Sequence, residues 1–216
     1  MAETSPTPVS FEEIAEGIRA ELARQDRLRE EALVLSRQVI RAAALSIRAT
    51  HRQEFAEAER RRSEAHQYLL RLHEIVAACP FFSALGYIAD AEKEYAEACL
   101  TYALIREQPI PPPEELAVPV APYLNALGEA VGELRRAILD ALRQDLLSPC
   151  EARLEAMQQI YDFLVTVDFP EALTGGLRRT TDMVRRVLEN TRADLTLALR
   201  QRKLQQALEE VEGRLS

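Results

Sequence analysis

Four glutamates define the chemistry open to this sequence. Glu94 and Glu97 stand three apart in Glu94-Tyr95-Ala96-Glu97-Ala98, and Glu129 and Glu133 stand four apart in Gly128-Glu129-Ala130-Val131-Gly132-Glu133-Leu134. At those spacings each pair leaves one face of a helix. Two such faces brought together gather four carboxylates, which repel one another unless a cation lies between them. Clustered hard oxygens of this kind suit Mg2+ or Mn2+. The ordinary fate of acidic pairs on helices is different: a solvated face or a set of salt bridges.

The elements that must position these glutamates read as helices punctuated by proline. Between Ser10 and Cys79 there is no proline and one glycine, Gly17, in a stretch of Ala, Leu, Glu and Arg that favours helix. Ser10-Phe11-Glu12-Glu13 has the form of a capping box, and Thr50-His51-Arg52-Gln53 repeats it in S/T-x-x-Q form. The expected helices are therefore 11–49 and 51–78. Cys79-Pro80 ends the second, and a third spans Phe81 to Arg106 with Glu94 and Glu97 on it. Six of the eleven prolines fall between Pro109 and Pro122, which predicts an extended connector. A fourth helix from Tyr123 to Leu146 carries Glu129 and Glu133. Ser148-Pro149-Cys150-Glu151 starts a fifth, with Ser148 as N-cap, running to Val167. Asp168-Phe169-Pro170-Glu171 repeats that start, Gly175-Gly176 interrupts it, and a final helix runs from Leu177 towards Arg214. Its seam of Leu177, Thr181, Val184, Leu188, Thr191 and Leu195 has heptad spacing, equally suited to internal packing or a subunit interface; Leu204, Leu208, Val211 and Leu215 continue it in shifted phase. The fold class expected is all-α, a bundle of about six or seven helices, long at both ends. Residues 1–9 are expected to be disordered and 10–216 to form a single domain.

Composition narrows the partners. The chain has 216 residues, 47% of them hydrophobic, enough for a substantial core. With a net charge of −8, a nucleic acid would have to meet a local basic patch. The basic residues are arginines apart from Lys93 and Lys203, and arginine suits bidentate phosphate contact. Cys79, Cys99 and Cys150 are odd in number and far apart, and read as buried hydrophobes rather than staples or zinc ligands. No run approaches the roughly 18 apolar residues of a membrane span, and the N-terminus lacks the basic and apolar regions of a secretion signal. A cytoplasmic protein without membrane contact is expected.

Taken as ordered blocks, the sequence resembles the translin family, which comprises translin and translin-associated factor X. The blocks are Leu35-Ser36-Arg37, His51-Arg52, Glu94-Tyr95-Ala96-Glu97-Ala98, Pro119, Tyr123 followed by Gly132-Glu133-Leu134, and Ile160-Tyr161-Asp162 before a long closing helix. The similarity runs from about Arg24 to Arg202. No block is specific alone; their order and spacing are.

The resemblance implies a translin-like helical bundle that binds single-stranded RNA or DNA. It also leans towards the translin-associated factor X branch, which carries a Mg2+-dependent endoribonuclease site. That branch has E-[YF]-V-E-A on one helix and an Asp four residues before the Glu of G-E-L on another. Carried over, Glu94, Glu97 and Glu129 are the expected metal ligands, with Glu133 orienting or activating water; all four are candidate catalytic residues. Glu129 departs from the branch's Asp by one methylene, which alters the metal-to-carboxylate geometry. The expected cofactor is Mg2+, with Mn2+ as a substitute.

For RNA contact the candidates are Arg37, Arg41, Arg48 and Arg52, whose offsets of 4, 11 and 15 bring them to one side of the first helix, and Arg136, one turn beyond Glu133. Pairing with the abundant glutamates is the competing fate. The family's assembly implies a homo-oligomer forming a hollow ring or barrel, with an octamer as the expected size, that turns a positive face inward. Tyr95, Tyr123 and Tyr161 could stack on bases, although aromatics at helical spacing are more often core. His51, His66 and His73 form no ligand constellation in the sequence. The alternative function is a translin-like nucleic-acid-binding oligomer without catalysis. A ferritin-like di-metal bundle is a further alternative that the sequence speaks against, because it needs Glu-x-x-His from two helices and none occurs.

Overall fold

The computed structural model describes residues 10–215, the last two by backbone alone. The stretch 1–9 expected to be disordered, and the side chain of Leu215, lie outside these residues. Among the described residues there are α-helices, one 3-10 turn and no strand. Six helices are long: α1 (Phe11–His51), α2 (Phe55–Ala78), α3 (Gly86–Ile105), α5 (Val120–Leu142), α6 (Ser148–Val165) and α8 (Leu177–Leu215). Two are single turns, α4 (Pro113–Leu116) and α7 (Glu171–Thr174). The first and last are the longest, at 41 and 39 residues.

Helix α1 begins where expected. The Ser10 hydroxyl accepts from the Glu13 amide at 3.2 Å, and the Glu13 carboxylate accepts from the Ser10 amide at 2.9 Å. Its other end corrects the expectation of a second capping box. Thr50 is buried and its hydroxyl donates back to the Ser46 carbonyl at 2.9 Å, so it cannot cap α2. Instead Gln53 takes a left-handed conformation, φ 60°. The Glu54 amide then reaches the Ala49 carbonyl and the Gln53 amide the Thr50 carbonyl, both at 3.0 Å. These are the two bonds of a Schellman motif. The consequence for the site is that His51 stays in the last turn of α1, rather than opening α2.

Other boundaries shift for local reasons. Residues Pro80–Ala84 form a 3-10 turn, so α3 starts at Gly86 and not at Phe81. The proline-rich connector is not wholly extended, since it contains α4. Helix α5 starts three residues before Tyr123 because Pro122 falls in its first turn, where a missing N–H leaves no helical bond unmade. It stops at Leu142, ahead of Leu146, where Asp145 turns left-handed and the Leu146 amide caps back to Ala141 at 3.0 Å. Ser148 is inside α6; Leu147 is the N-cap, with no side-chain cap bond.

Helices α3 and α5 form the centre. α3 packs against α1 on one side and α5 on the other, and α5 packs also against α6 and α8. Most of α3 is buried, as a helix enclosed all round must be. Ala43 and Ala98 allow its close approach to α1, and with Ile47 they make one continuous seam. The heptad seam of α8 resolves as internal packing, with Leu177, Val184, Leu188, Thr191 and Leu195 all buried, whereas Leu204, Leu208 and Val211 are exposed. Cys79, Cys99 and Cys150 are free and buried, as expected.

The rotation of α5, which decides where Glu129 and Glu133 point, is held from the α8 side. Asn125 donates to the carbonyls of Thr174 at 2.9 Å and Gly175 at 3.3 Å, and accepts from the Thr180 hydroxyl at 2.6 Å. Arg135 donates to Thr191 at 3.0 Å and pairs with Asp194 at 2.8 Å. Between them Gly128 meets α8 so closely that an added Cβ would lie 2.2 Å from the Thr180 methyl. The hydrogen bond to Asn125 opposes rotation of Thr180 out of the way. Helix propensity alone favours Gly128→Ala by about 1 kcal/mol, but overpacking costs about 1–3 kcal/mol. Gly128→Ala is therefore expected to lower the denaturation midpoint, and adding Thr180→Ser, which keeps the hydroxyl and removes the methyl, to restore most of it. A stabilised single variant would show that the helices are not in close approach.

Candidate metal centre

The two acidic faces meet. Glu94 and Glu97 extend from α3 and Glu129 from α5, and one carboxylate oxygen of each lies within 4.8 Å of the others. Oxygens sharing one Mg2+ stand at most about 4.2 Å apart, twice the roughly 2.1 Å bond, so the trio is slightly open and closes by small side-chain rotations. The donor set is all carboxylate, presented by two packed helices, and fits a hard divalent cation rather than a soft one. One cationic group already reaches it. The Lys93 ammonium donates to Glu129 Oε1 at 2.6 Å and lies 3.6 Å from Glu94 Oε1.

The carboxylates do not share one electrostatic state. Glu97 is the most enclosed, at 8% exposure. Burial, followed by the charges of Glu129, Glu94 and Glu133, pushes its carboxyl up to about 8. Burial also raises Glu94, with Lys93 opposing and Glu129 and Asp90 adding to the rise. Burial alone would lower the Lys93 ammonium, but the hydrogen bond to Glu129 and the charges of Glu129, Glu94 and Glu97 outweigh it, leaving Lys93 above its ordinary value. In the absence of a divalent ion, therefore, the cluster limits its repulsion by holding a proton at Glu97 and an ammonium at Glu129.

Glu133 stands apart from the trio. Its carboxylate is hydrogen-bonded to Nε2 of His51, and Arg136 lies 3.7 Å away. The bond to His51 holds it below the usual carboxylate range against the opposing effect of burial. It is thus an ionised, oriented acceptor beside the cluster, made possible by the turn that keeps His51 at the end of α1.

The basic row is only partly free. Arg37, Arg41, Arg48 and Arg52 are all exposed. Arg52 pairs with Glu54 at 2.9 Å, while among the described residues Arg37, Arg41 and Arg48 have no carboxylate partner. None of the four reaches the acidic trio by an ion pair. Tyr95 and Tyr123 are core residues: Tyr95 faces the His66 ring at 5.5 Å and the Tyr123 hydroxyl donates to the Pro111 carbonyl at 2.9 Å. His73 is bonded to Glu92 at 3.0 Å, away from the trio.

Two residues of the site had no role in the sequence reading, Lys93 and His51. Lys93 had a signal, as one of two lysines in the chain and the immediate neighbour of Glu94. His51 stood in one of the family-like blocks, but its partner is 82 positions away, a pairing that no local pattern reports.

No protein-family model matches the sequence. An uncharacterized protein of Methanocaldococcus jannaschii is 30% identical over 196 residues, covering 90% of this chain and 87% of that protein. Among solved structures, the chain is similar to one from the AfC3PO–duplex RNA complex, with 30% identity, a TM-score of 0.75, and coverage of 87% of this chain and 97% of that one. A crystal structure of AfC3PO gives 30% identity and a TM-score of 0.77 over 87% of this chain and 98% of that one. Apo-NeC3PO gives a TM-score of 0.79 over 89% of this chain at 19% identity, a likeness of fold. With 30% identity to AfC3PO along nearly its whole length and the same helical fold, the chain belongs to the translin family.

Proposed function

We propose that this chain is a divalent-metal-dependent endoribonuclease, akin to the translin-associated factor X branch, that works as a homo-oligomer enclosing its RNA. The observation that carries this reading is the convergence of Glu94, Glu97 and Glu129, with oxygens within 4.8 Å of one another. The AfC3PO chain in complex with duplex RNA supports RNA as the ligand, and widens the expectation from single strands to paired RNA as well.

A bound Mg2+ supplies Lewis acidity towards a phosphate oxygen and a water of lowered pKa. Glu94, Glu97 and Glu129 would hold it, and Glu97 would have to be deprotonated to serve as a ligand. Glu133 accepts a hydrogen bond from the attacking water and so orients it. His51 fixes the rotamer of that carboxylate and keeps it ionised. Arg136, half-exposed at the same end of α5, and the free guanidiniums of Arg37, Arg41 and Arg48 hold phosphates along the chain of the RNA. The longer arm of Glu129, compared with Asp, reaches across to α3, where Lys93 meets it. A second reading, an RNA-binding oligomer without catalysis, is favoured by that same contact, because the ammonium satisfies the carboxylate a metal would need.

With labelled RNA and Mg2+, the purified protein is expected to cut. Glu94→Ala or Glu129→Ala should lower the rate by at least about 100-fold, the scale of losing several kcal/mol of charge stabilisation, while RNA retention on a filter stays unchanged. Retention without cutting by the native chain would favour the binding-only reading.

Proton linkage gives an independent check. Glu97 binds its proton more tightly folded than unfolded, so between about 4.5 and about 8 the folded state holds the extra proton. Stability of the metal-free protein should thus fall as pH rises through that window, and Glu97→Gln should flatten the fall. Glu133 works in the opposite sense: its contribution is present above the ordinary carboxylate value and is lost in acid. Thermal melts in chelator read Glu97 across pH 5 to 9 and Glu133 in a separate series below about 4.5, its ordinary value. A midpoint that climbs between pH 5 and 8 would contradict the assignment of Glu97.

A further inference from the structure

We propose that the Lys93 ammonium is the resident cation of the acidic site, and that a divalent ion enters only by displacing it. The inference rests on the metal reading above and adds the residue that sets whether and when the site loads. Lys93 and Glu94 are neighbours on α3, yet the short contact is to α5: 2.6 Å to Glu129 Oε1, against 3.6 Å to Glu94 Oε1. An ordinary surface pair is exposed and contributes little. Here the lysine side chain is 22% exposed and spans the two helices whose carboxylates form the trio.

Both cations draw on the Glu129 carboxylate. An ammonium 2.6 Å from Glu129 Oε1 already neutralises that carboxylate, and it repels a divalent ion placed among the three acids. The residue type suits exchange. An ammonium is a compact point charge on a flexible four-carbon stem, whereas a guanidinium is a planar fork that would lock both carboxylates. That a lysine stands here is notable in a chain whose other basic residues, Lys203 excepted, are arginines. With 35% of the Glu129 side chain exposed, the ammonium has a path outward to solvent.

The consequence is a site that is self-neutralised when metal is scarce, and loads only when the divalent ion outcompetes a tethered competitor. The carboxylates do not have to splay apart in the metal-free state, so the helices keep their arrangement through the exchange.

The test is Mn2+ titration into the full-length protein, read by the free-ion electron paramagnetic resonance signal. Lys93→Met, similar in length and uncharged, is expected to tighten Mn2+ binding about tenfold or more, because binding no longer breaks a charge-assisted hydrogen bond. Lys93→Arg, which keeps the charge, should not tighten it. A second measurement uses the native chain and needs no variant to fold. In limited acetylation followed by mass spectrometry, Mn2+ should raise modification of Lys93 severalfold relative to exposed Lys203. Equal or weaker Mn2+ affinity in Lys93→Met overturns the inference and leaves the metal site standing; if that variant does not fold, unchanged Lys93 acetylation does the same. Binding by Lys93→Met alone sustains the inference and removes the nuclease reading of the native chain. No binding by either protein overturns both.

Discussion

Mutual repulsion among Glu94, Glu97 and Glu129 is the constraint around which the rest of this structure makes sense. Three carboxylates with oxygens within 4.8 Å of one another, one of them nearly enclosed, cannot all be ionised without a compensating positive charge. The protein meets this with a proton on Glu97 and an ammonium on Glu129. On the proposed reading both give way to a divalent ion, which would separate a site from a structural ion pair. A buried pair maintained for stability would be better served by apolar residues of similar volume.

The cost of holding such a cluster is borne by the packing behind it. The rotation of α5 decides whether its glutamates face α3. Asn125, Gly128 and Arg135 fix the opposite face against α8 through hydrogen bonds, a close methyl contact and an ion pair. α3 is held from its other side by the small-residue seam with α1. The end of α1 contributes as well, because the left-handed turn at Gln53 leaves His51 in the last helical turn, where it reaches Glu133 across 82 residues of sequence. Glu133 on α5 is thus electrostatically distinct from Glu97 on α3, the one held below the usual carboxylate range and the other pushed above it. Environments that drive like groups apart in this way are how one site obtains an acid and a base.

Much of this was legible beforehand. Helical spacing puts each acidic pair on one face, proline and glycine mark most of the breaks, and Ser10-Phe11-Glu12-Glu13 caps α1 as its composition implies. The failures have a common cause. Thr50 looks like a cap but is buried, so its hydroxyl bonds backward; Gln53 looks unremarkable but turns left-handed. That conformation costs about 1–2 kcal/mol in a non-glycine residue, and is held here by two backbone bonds to the end of α1. Such outcomes depend on what packs against the turn, which spacing does not report. Lys93 and His51 escaped for the same reason: their partners are brought near by the α3–α5 and α1–α5 crossings, not by sequence distance. The heptad seam of α8 shows the converse, since its pattern served internal packing and interface equally, and burial alone separated its two halves.

The account stands or falls on whether one divalent ion can sit among Glu94, Glu97 and Glu129 in the native chain. A crystal grown in Mn2+ and recorded with anomalous scattering answers this most directly. The expected result is a single anomalous peak within coordination distance of all three carboxylates, with the Lys93 ammonium swung away from Glu129. Crystals that show Lys93 still bonded to Glu129, with no peak at the trio under saturating Mn2+, would contradict it.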